Sequence, residues 1–181
     1  SVKTQKDSSV ITTFYSDRAK PFVKKFKFIK GFEGGNLDFS STKVNNTSKS
    51  KLIIDNFKVQ EIPVLAKILT LASLQGIADL LTGEGVRFTD FEMIYSNKGS
   101  LMTIDEIYAI GPAISIMMEG YVESQKIVSL RGTLVPATTI NRTISSIPLL
   151  GNLLVGKKVG EGVFGVSFKI KGPPKDLKTT V

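Results

Sequence analysis

The sequence predicts a mainly β protein of the α+β class, with a predominantly antiparallel sheet and one long apolar helix packed on its face or end. Two patterns carry this prediction. Residues 164–171 alternate strictly between apolar and polar side chains, as a strand with one buried face does. Residues 62–82 place apolar side chains at helical spacing instead. We expect a single domain over residues 1–181.

A short basic helix is predicted over residues 17–29. Residues 1–10 before it are polar, and we expect them to be frayed or a remnant of a strand. Asp17 is a suitable N-cap, and Pro21 falls within about the first turn, near the limit of what a helix tolerates. Glycines after Lys30 are expected to end the helix.

A β-hairpin is predicted over residues 36–58. Its strands are 36–40 and 51–58, where apolar side chains recur. Residues 41–50 between them are rich in Ser, Asn, Thr and Lys, a composition typical of an exposed, mobile tip.

The strongest helical pattern covers residues 62–82. Its apolar face is broad, and Gly83 is suited to a C-terminal cap. Lys67 and Asp79 interrupt the apolar surface, so we expect this helix to lie on the sheet or at a surface, without spanning a membrane. Gly76 is the expected position of a kink or a split.

The alternation of apolar and polar side chains after residue 86 predicts a β-meander over residues 86–181, with an apolar loop over 136–159. The alternation changes phase near Asp90, which indicates a bulge. The final strand is the clearest, and we expect its inward side chains to be Phe164, Val166, Phe168 and Ile170.

Composition excludes several classes of chemistry. The sequence has no Cys and no His, which removes thiolate nucleophiles, disulfides, His-based triads and the usual zinc ligands. The adjacent carboxylates Asp105 and Glu106 would point to opposite faces of a strand. We therefore expect no enzyme activity, no cofactor and no metal site.

A glycine motif, Gly160-Glu-Gly162-Val-Phe-Gly165, matches the spacing of a dinucleotide-binding loop. Such a loop needs a helix after it, whereas here a strand follows. The glycines are better explained as the start of a strand that packs closely on its neighbour.

The formal net charge of +8 favours anionic partners such as lipid headgroups or nucleic acid. The alternative is a soluble protein from an AT-rich genome, in which Lys is simply common. The candidate headgroup or membrane-surface residues are Lys20, Lys24, Lys25 and Lys27. The alternative is a solvated lysine face over a packed Phe stripe. Residues 147–154 are mostly apolar, and we expect this segment either to cap the β core or to enter a membrane or a partner protein.

From about Asp17 onward the chain resembles the C-terminal region of the AsmA-like family of bacterial envelope proteins, of the YhdP/TamB type. No single motif is diagnostic, and the order and spacing of several carry the resemblance. They are Gly34-Gly35-Asn-Leu-Asp38, Asp55-Asn-Phe57, Ile62-Pro-Val-Leu-Ala66, Leu71-Ala-Ser-Leu74, Leu80-Leu-Thr-Gly-Glu-Gly85, Gly111-Pro-Ala113, Arg131-Gly-Thr-Leu-Val-Pro-Ala137, Asn141, Ile147-Pro-Leu-Leu-Gly151 and Glu161-Gly-Val-Phe164.

The resemblance implies a groove-like twisted sheet in a periplasmic module of an inner-membrane-anchored protein that reaches toward the outer membrane. It implies transport of phospholipid or another anionic lipid, with an apolar strand face shielding acyl chains. The chain begins at Ser1 without a Met or signal peptide, so we expect a fragment of a longer protein. No nucleic-acid partner is expected.

The apolar alternation supplies the candidate lipid contacts on this face, which are Ile114, Ile116, Met118, Phe164, Val166 and Phe168. The alternative function is an envelope scaffold that acts through protein contacts alone.

Overall fold

The computed structural model of the chain describes residues 1–5, 7–26, 29–137 and 165–181. Within these residues, strands predominate and the helices are short. In chain order the elements are β1 (Val2–Thr4), β2 (Val10–Ser16), α1 (Lys20–Val23), β3 (Glu33–Val44), β4 (Thr47–Val59), α2 (Pro63–Leu71), α3 (Gln75–Thr82), β5 (Val86–Lys98), β6 (Leu101–Ile110), β7 (Ile114–Glu123), β8 (Ile127–Pro136), β9 (Val166–Gly172) and β10 (Lys178–Thr180).

The described strands form one sheet in which the spatial order equals the chain order, from β1 to β10. Every neighbouring pair is antiparallel. The prediction of a mainly antiparallel protein is therefore confirmed. The strands β5 to β9 also confirm the antiparallel meander expected after residue 86.

The β3–β4 hairpin is longer than predicted. Residues 41–44 and 47–50, expected in an exposed tip, belong to the strands, and the turn is reduced to Asn45-Asn46. Asn45 has a φ of 52°, as tight two-residue hairpin turns require. Both strands also pair with outer neighbours here, for example Thr12 with Ser41 and Lys49 with Ser96. Ladder hydrogen bonds on both sides outweigh the polar composition.

The prediction of a single long helix over residues 62–82 is wrong. The segment forms two helices, α2 and α3, and the break lies at residues 72–74 rather than at Gly76. Ser73 adopts a φ of 60°, and the Leu74 N–H donates to the Leu69 carbonyl oxygen at 2.8 Å. Helices commonly end in this way, with one residue in the left-handed conformation and the next N–H donating to the carbonyl five residues back.

The basic helix is also shorter than the 17–29 prediction. The helix α1 covers only Lys20–Val23 and continues into a turn. Lys20 and Lys24 stand four residues apart, where like charges destabilise a helix. This repulsion disfavours a longer helix by only a few tenths of a kcal/mol, and so contributes to its single turn without accounting for it alone.

The sheet has an inner face, defined here as the face that packs against α2 and α3. The core on this face joins Leu65, Ile68, Leu69, Ala78 and Leu81 of the helices to strand residues from Leu37 to Ile170. An aromatic stack crosses it, with Phe57 5.2 Å from Phe32 and 5.5 Å from Phe88 between ring centroids. The helices therefore close one end of the sheet.

The alternation predicted for β9 is confirmed for its described residues. Val166, Phe168 and Ile170 are buried, whereas Lys169 and Lys171 are exposed on the opposite, outer face. Phe164 lies outside the described residues, and so does the predicted apolar loop 136–159 beyond Ala137.

Candidate functional site

The predicted lipid contacts at the helix end of the sheet lie in the core. Ile114 is 0% exposed, and Ile116, Val166 and Phe168 are also buried. Ile114, Ile116 and Phe168 belong to the same cluster as the helix side chains. Among the described candidates, only Met118 is half-buried, and Phe164 is outside the described residues. These four buried side chains therefore offer no open surface while the helices are in place.

The inner face changes character toward the turns that join β5 to β6 and β7 to β8. There the apolar side chains are half-buried, and three of them, Leu52, Met118 and Leu130, pack against the edge of the core. We call them the half-buried strip, which consists of Leu52, Met93, Met102, Met118, Val122, Val128 and Leu130.

Strand register makes this strip continuous. Met102 pairs with Val122, and Val122 pairs with Val128 in the next strand. Met93 pairs with the buried Ile107, which pairs with Met118. Side chains paired in this way have Cβ atoms about 4.5–5.5 Å apart and touch across the strands. Leu52 pairs with Met93, so the second of these two rows reaches β4. Ile104 and Leu130 occupy the row between the two and connect them into one apolar surface.

Methionine is concentrated in the strip. The chain has four methionines, and three of them, Met93, Met102 and Met118, belong to it. Methionine is unbranched and polarisable, so it repacks readily around partners of variable shape. A half-exposed surface of this kind suits a flexible apolar ligand better than a rigid one.

Two of the four lysines predicted to contact headgroups line the same surface depression. Lys20 and Lys24 line a depression of about 560 Å³ together with Arg18, and among the described residues Asp17 is the one acidic residue in this lining. Lys25 is exposed but is not part of this lining, and Lys27 lies outside the described residues. The depression therefore carries an excess of positive charge and suits an anion.

Close backbone packing positions these cations. The Ala19 N–H donates to the Gly35 carbonyl oxygen at 2.9 Å, which ties the start of α1 to β3. Gly35 has a φ of 87°, and a Cβ added there would lie 3.1 Å from the Ala19 Cβ. Only glycine gives this approach without strain. It holds Lys20 beside the Gly34–Gly35 backbone.

A polar network lies on the outer face. The Tyr108 hydroxyl donates to the Glu92 carboxylate at 3.0 Å, and Lys51 pairs with the same carboxylate at 3.1 Å. Burial, together with this hydrogen bond, raises the pKa of Tyr108 to about 12. The hydroxyl therefore stays protonated at neutral pH and remains a hydrogen-bond donor to Glu92.

Metal-ligand chemistry is not apparent in the described part of the chain. No group of three or more Asp or Glu side chains there is arranged to hold a metal ion. The same residues contain no helix with the length and apolarity needed to cross a bilayer. The expectation that the chain is not an enzyme stays a prediction.

No protein-family model, no curated protein and no solved structure matches the chain. The resemblance to the AsmA-like family therefore also stays a prediction.

Sequence reasoning missed two features of the surface. It named Met118 of the half-buried strip as a lipid contact, but placed the other candidates at the helix end and overlooked Met93 and Met102. It also included Lys169 and Lys171 only as polar positions of the alternating segment 164–171, whereas the structure pairs them with Arg131 and Lys178.

Proposed function

We propose that this chain is a non-enzymatic lipid-binding or lipid-transfer module. The observation that supports this most is the half-buried strip, a continuous apolar surface on the inner face of an open sheet. An acyl chain lying along Met93, Met102 and Val128 would remove apolar surface from water on both partners. Each methylene buried contributes about 0.8 kcal/mol.

The cationic depression beside α1 supplies the second half of the proposal. Arg18, Lys20 and Lys24 would attract a phosphate headgroup, and this attraction weakens as salt screens exposed charges. Phe22 and Phe26 are exposed next to them, and such a mixture of aromatic and basic side chains suits a lipid–water interface.

The cellular setting of the proposal comes from the family resemblance. We propose a periplasmic location, within an inner-membrane-anchored protein that moves phospholipid toward the outer membrane and supports its biogenesis. The groove-like, twisted shape of the sheet is part of the same proposal.

The test compares two adjacent positions of β8. Val128 belongs to the strip. Ile127, the residue before it, points to the outer face and is also half-buried. Val128→Glu is expected to weaken phospholipid binding about tenfold, the loss of roughly two methylene contacts. Ile127→Glu is the matched control and is expected to leave binding unchanged.

Binding is measured by native mass spectrometry and by transfer of a fluorescent phospholipid from vesicles. Met102→Glu provides a second strip variant, and circular dichroism checks that each variant keeps its β content. Equal binding by the strip and control variants would refute the strip as the lipid site.

The scaffold alternative is favoured by a different observation. Among the strands of residues 1–137 and 165–181, β1 and β10 each pair with one neighbour only. In this part of the chain, both edges of the sheet are therefore open to strand addition by another protein. Should the unaltered chain bind no phospholipid at any salt concentration, this alternative replaces the lipid proposal.

A further inference from the structure

A second depression with an excess of positive charge lies on the outer face. Its volume is about 980 Å³, and its lining includes four cationic side chains, two acidic ones and the large side chains Leu101 and Tyr121. The cations are Arg131, Lys169, Lys171 and Lys178, and the acidic residues are Asp105 and Glu119. Leu130 of the half-buried strip also lines this depression, but the charged side chains lie on the opposite face of the sheet from the strip. The inference therefore does not rest on the lipid-binding proposal.

Strand register places the cations directly beside one another. Lys171 pairs with Lys178 across β9 and β10, and Lys169 pairs with Arg131 across β9 and β8. Lys169 and Lys171 are two residues apart, so they share one face of β9. Four cationic side chains thus occupy one patch on three neighbouring strands.

Only one of these cations is neutralised within the described residues. Arg131 donates from its Nε to the Glu119 carboxylate at 2.6 Å, and the two form an ion pair. Lys169, Lys171 and Lys178 have no ion-pair partner among the described residues. Like charges placed directly opposite in a sheet are destabilising. A bound anion would relieve this repulsion.

The local backbone is shaped to form the depression. The β6–β7 register shifts between Ile104 and Ile107, which places a bulge at Asp105. Opposite it, Gly120 has a φ of 147°, and an added Cβ would collide with the Ser129 carbonyl oxygen. Bulges and glycines in strands commonly bend a sheet next to functional sites.

We propose that this outer-face depression binds a phosphate-bearing anion. The three lysines would contact the phosphate oxygens as point charges. Leu101 and Tyr121 are exposed large apolar side chains on the opposite side of the depression. They would contact an apolar portion of the ligand. A free polyphosphate and a phospholipid headgroup share the chemistry that the lysines recognise.

The first experiment titrates the unaltered chain with inorganic pyrophosphate by calorimetry at constant ionic strength. We expect one site with a Kd below about 1 mM. The combined Lys169→Gln, Lys171→Gln and Lys178→Gln variant is expected to bind at least about tenfold more weakly. The control carries Lys43→Gln, Lys49→Gln and Lys67→Gln, three exposed lysines elsewhere, and is expected to bind as the unaltered chain does.

Without ligand, the site variant is expected to melt at the same or a higher temperature than the unaltered chain, because the like charges have been removed. A loss of binding then cannot be attributed to unfolding. Equal weakening in the site and control variants would overturn the proposal, since it would indicate nonspecific charge attraction. Absence of pyrophosphate binding at about 10 mM would overturn it as well.

The second experiment identifies the source of the phosphate. Vesicles of phosphatidylcholine with and without phosphatidic acid are sedimented with each variant. Capture that depends on the three lysines and is competed by pyrophosphate assigns the site to a lipid headgroup. Equal vesicle capture by site and control variants, alongside lysine-dependent pyrophosphate binding, assigns it to a soluble anion. Because pyrophosphate binding needs no acyl chain, failure here leaves the inner-face proposal intact.

Discussion

Replacing Leu69 by alanine tests whether α2 is an integral part of the core. The Leu69 side chain is 0% exposed and packs among strand residues of the inner face. Large-to-small changes at such positions cost about 2–5 kcal/mol, because transfer free energy is lost and a cavity remains. For a chain of this size, each kcal/mol lowers the melting temperature by about 2–4 °C. Leu69→Ala should therefore lower it by roughly 4–20 °C.

The matched control lies two residues further along the same helix. Leu71 is 48% exposed, so Leu71→Ala removes the same atoms without opening a buried cavity. Its free energy of unfolding should change by no more than about 0.5 kcal/mol. Urea unfolding followed by circular dichroism measures both variants. Equal destabilisation of the two would refute the placement of the Leu69 side chain in the core.

Three further outcomes follow from particular contacts. Ile116→Glu should unfold the chain rather than only block lipid capture, since it buries a carboxylate in the core; a normal thermal transition would contradict this. Gly120→Ala should lower the free energy of unfolding by more than about 1 kcal/mol, because alanine is strained at this positive φ, and an unchanged urea midpoint would argue against it. The pKa of Tyr108 is raised from 10.0 to about 12, so its stabilising contribution is complete below pH 10 and is lost between pH 10 and 12. Tyr108→Phe should lose less stability over that window, and parallel urea midpoints for the two proteins would count against this.

Sequence reasoning succeeded where one local pattern carries the information. The alternation of β9 places Phe168 inside and Lys169 outside, because a period of two assigns each side chain to a face. It failed at the helix break. A left-handed serine gives no compositional signal, since glycine, asparagine and aspartate are the usual residues there. Gly76, the expected break, lies inside α3 instead.

The candidate site was harder to predict than the fold. Ile116 and Val128 occupy the same face by alternation, yet one is buried in the core and the other is half-exposed. Their difference depends on how far the two helices extend over the sheet, which is a tertiary property. The lysine patch depends on the pairing of Lys171 with Lys178, which requires the register of the β9–β10 hairpin.

The sequential strand order also has a consequence for how the chain folds. Each described strand pairs with its neighbours in chain order, so the sheet assembles largely from contacts between adjacent segments. Pairing adjacent segments closes shorter loops than pairing distant strands, and shorter loops cost less entropy to close. The contact between α2 and β10 joins residues more than a hundred positions apart. We expect it to form last, so that it closes the structure after the sheet has grown hairpin by hairpin.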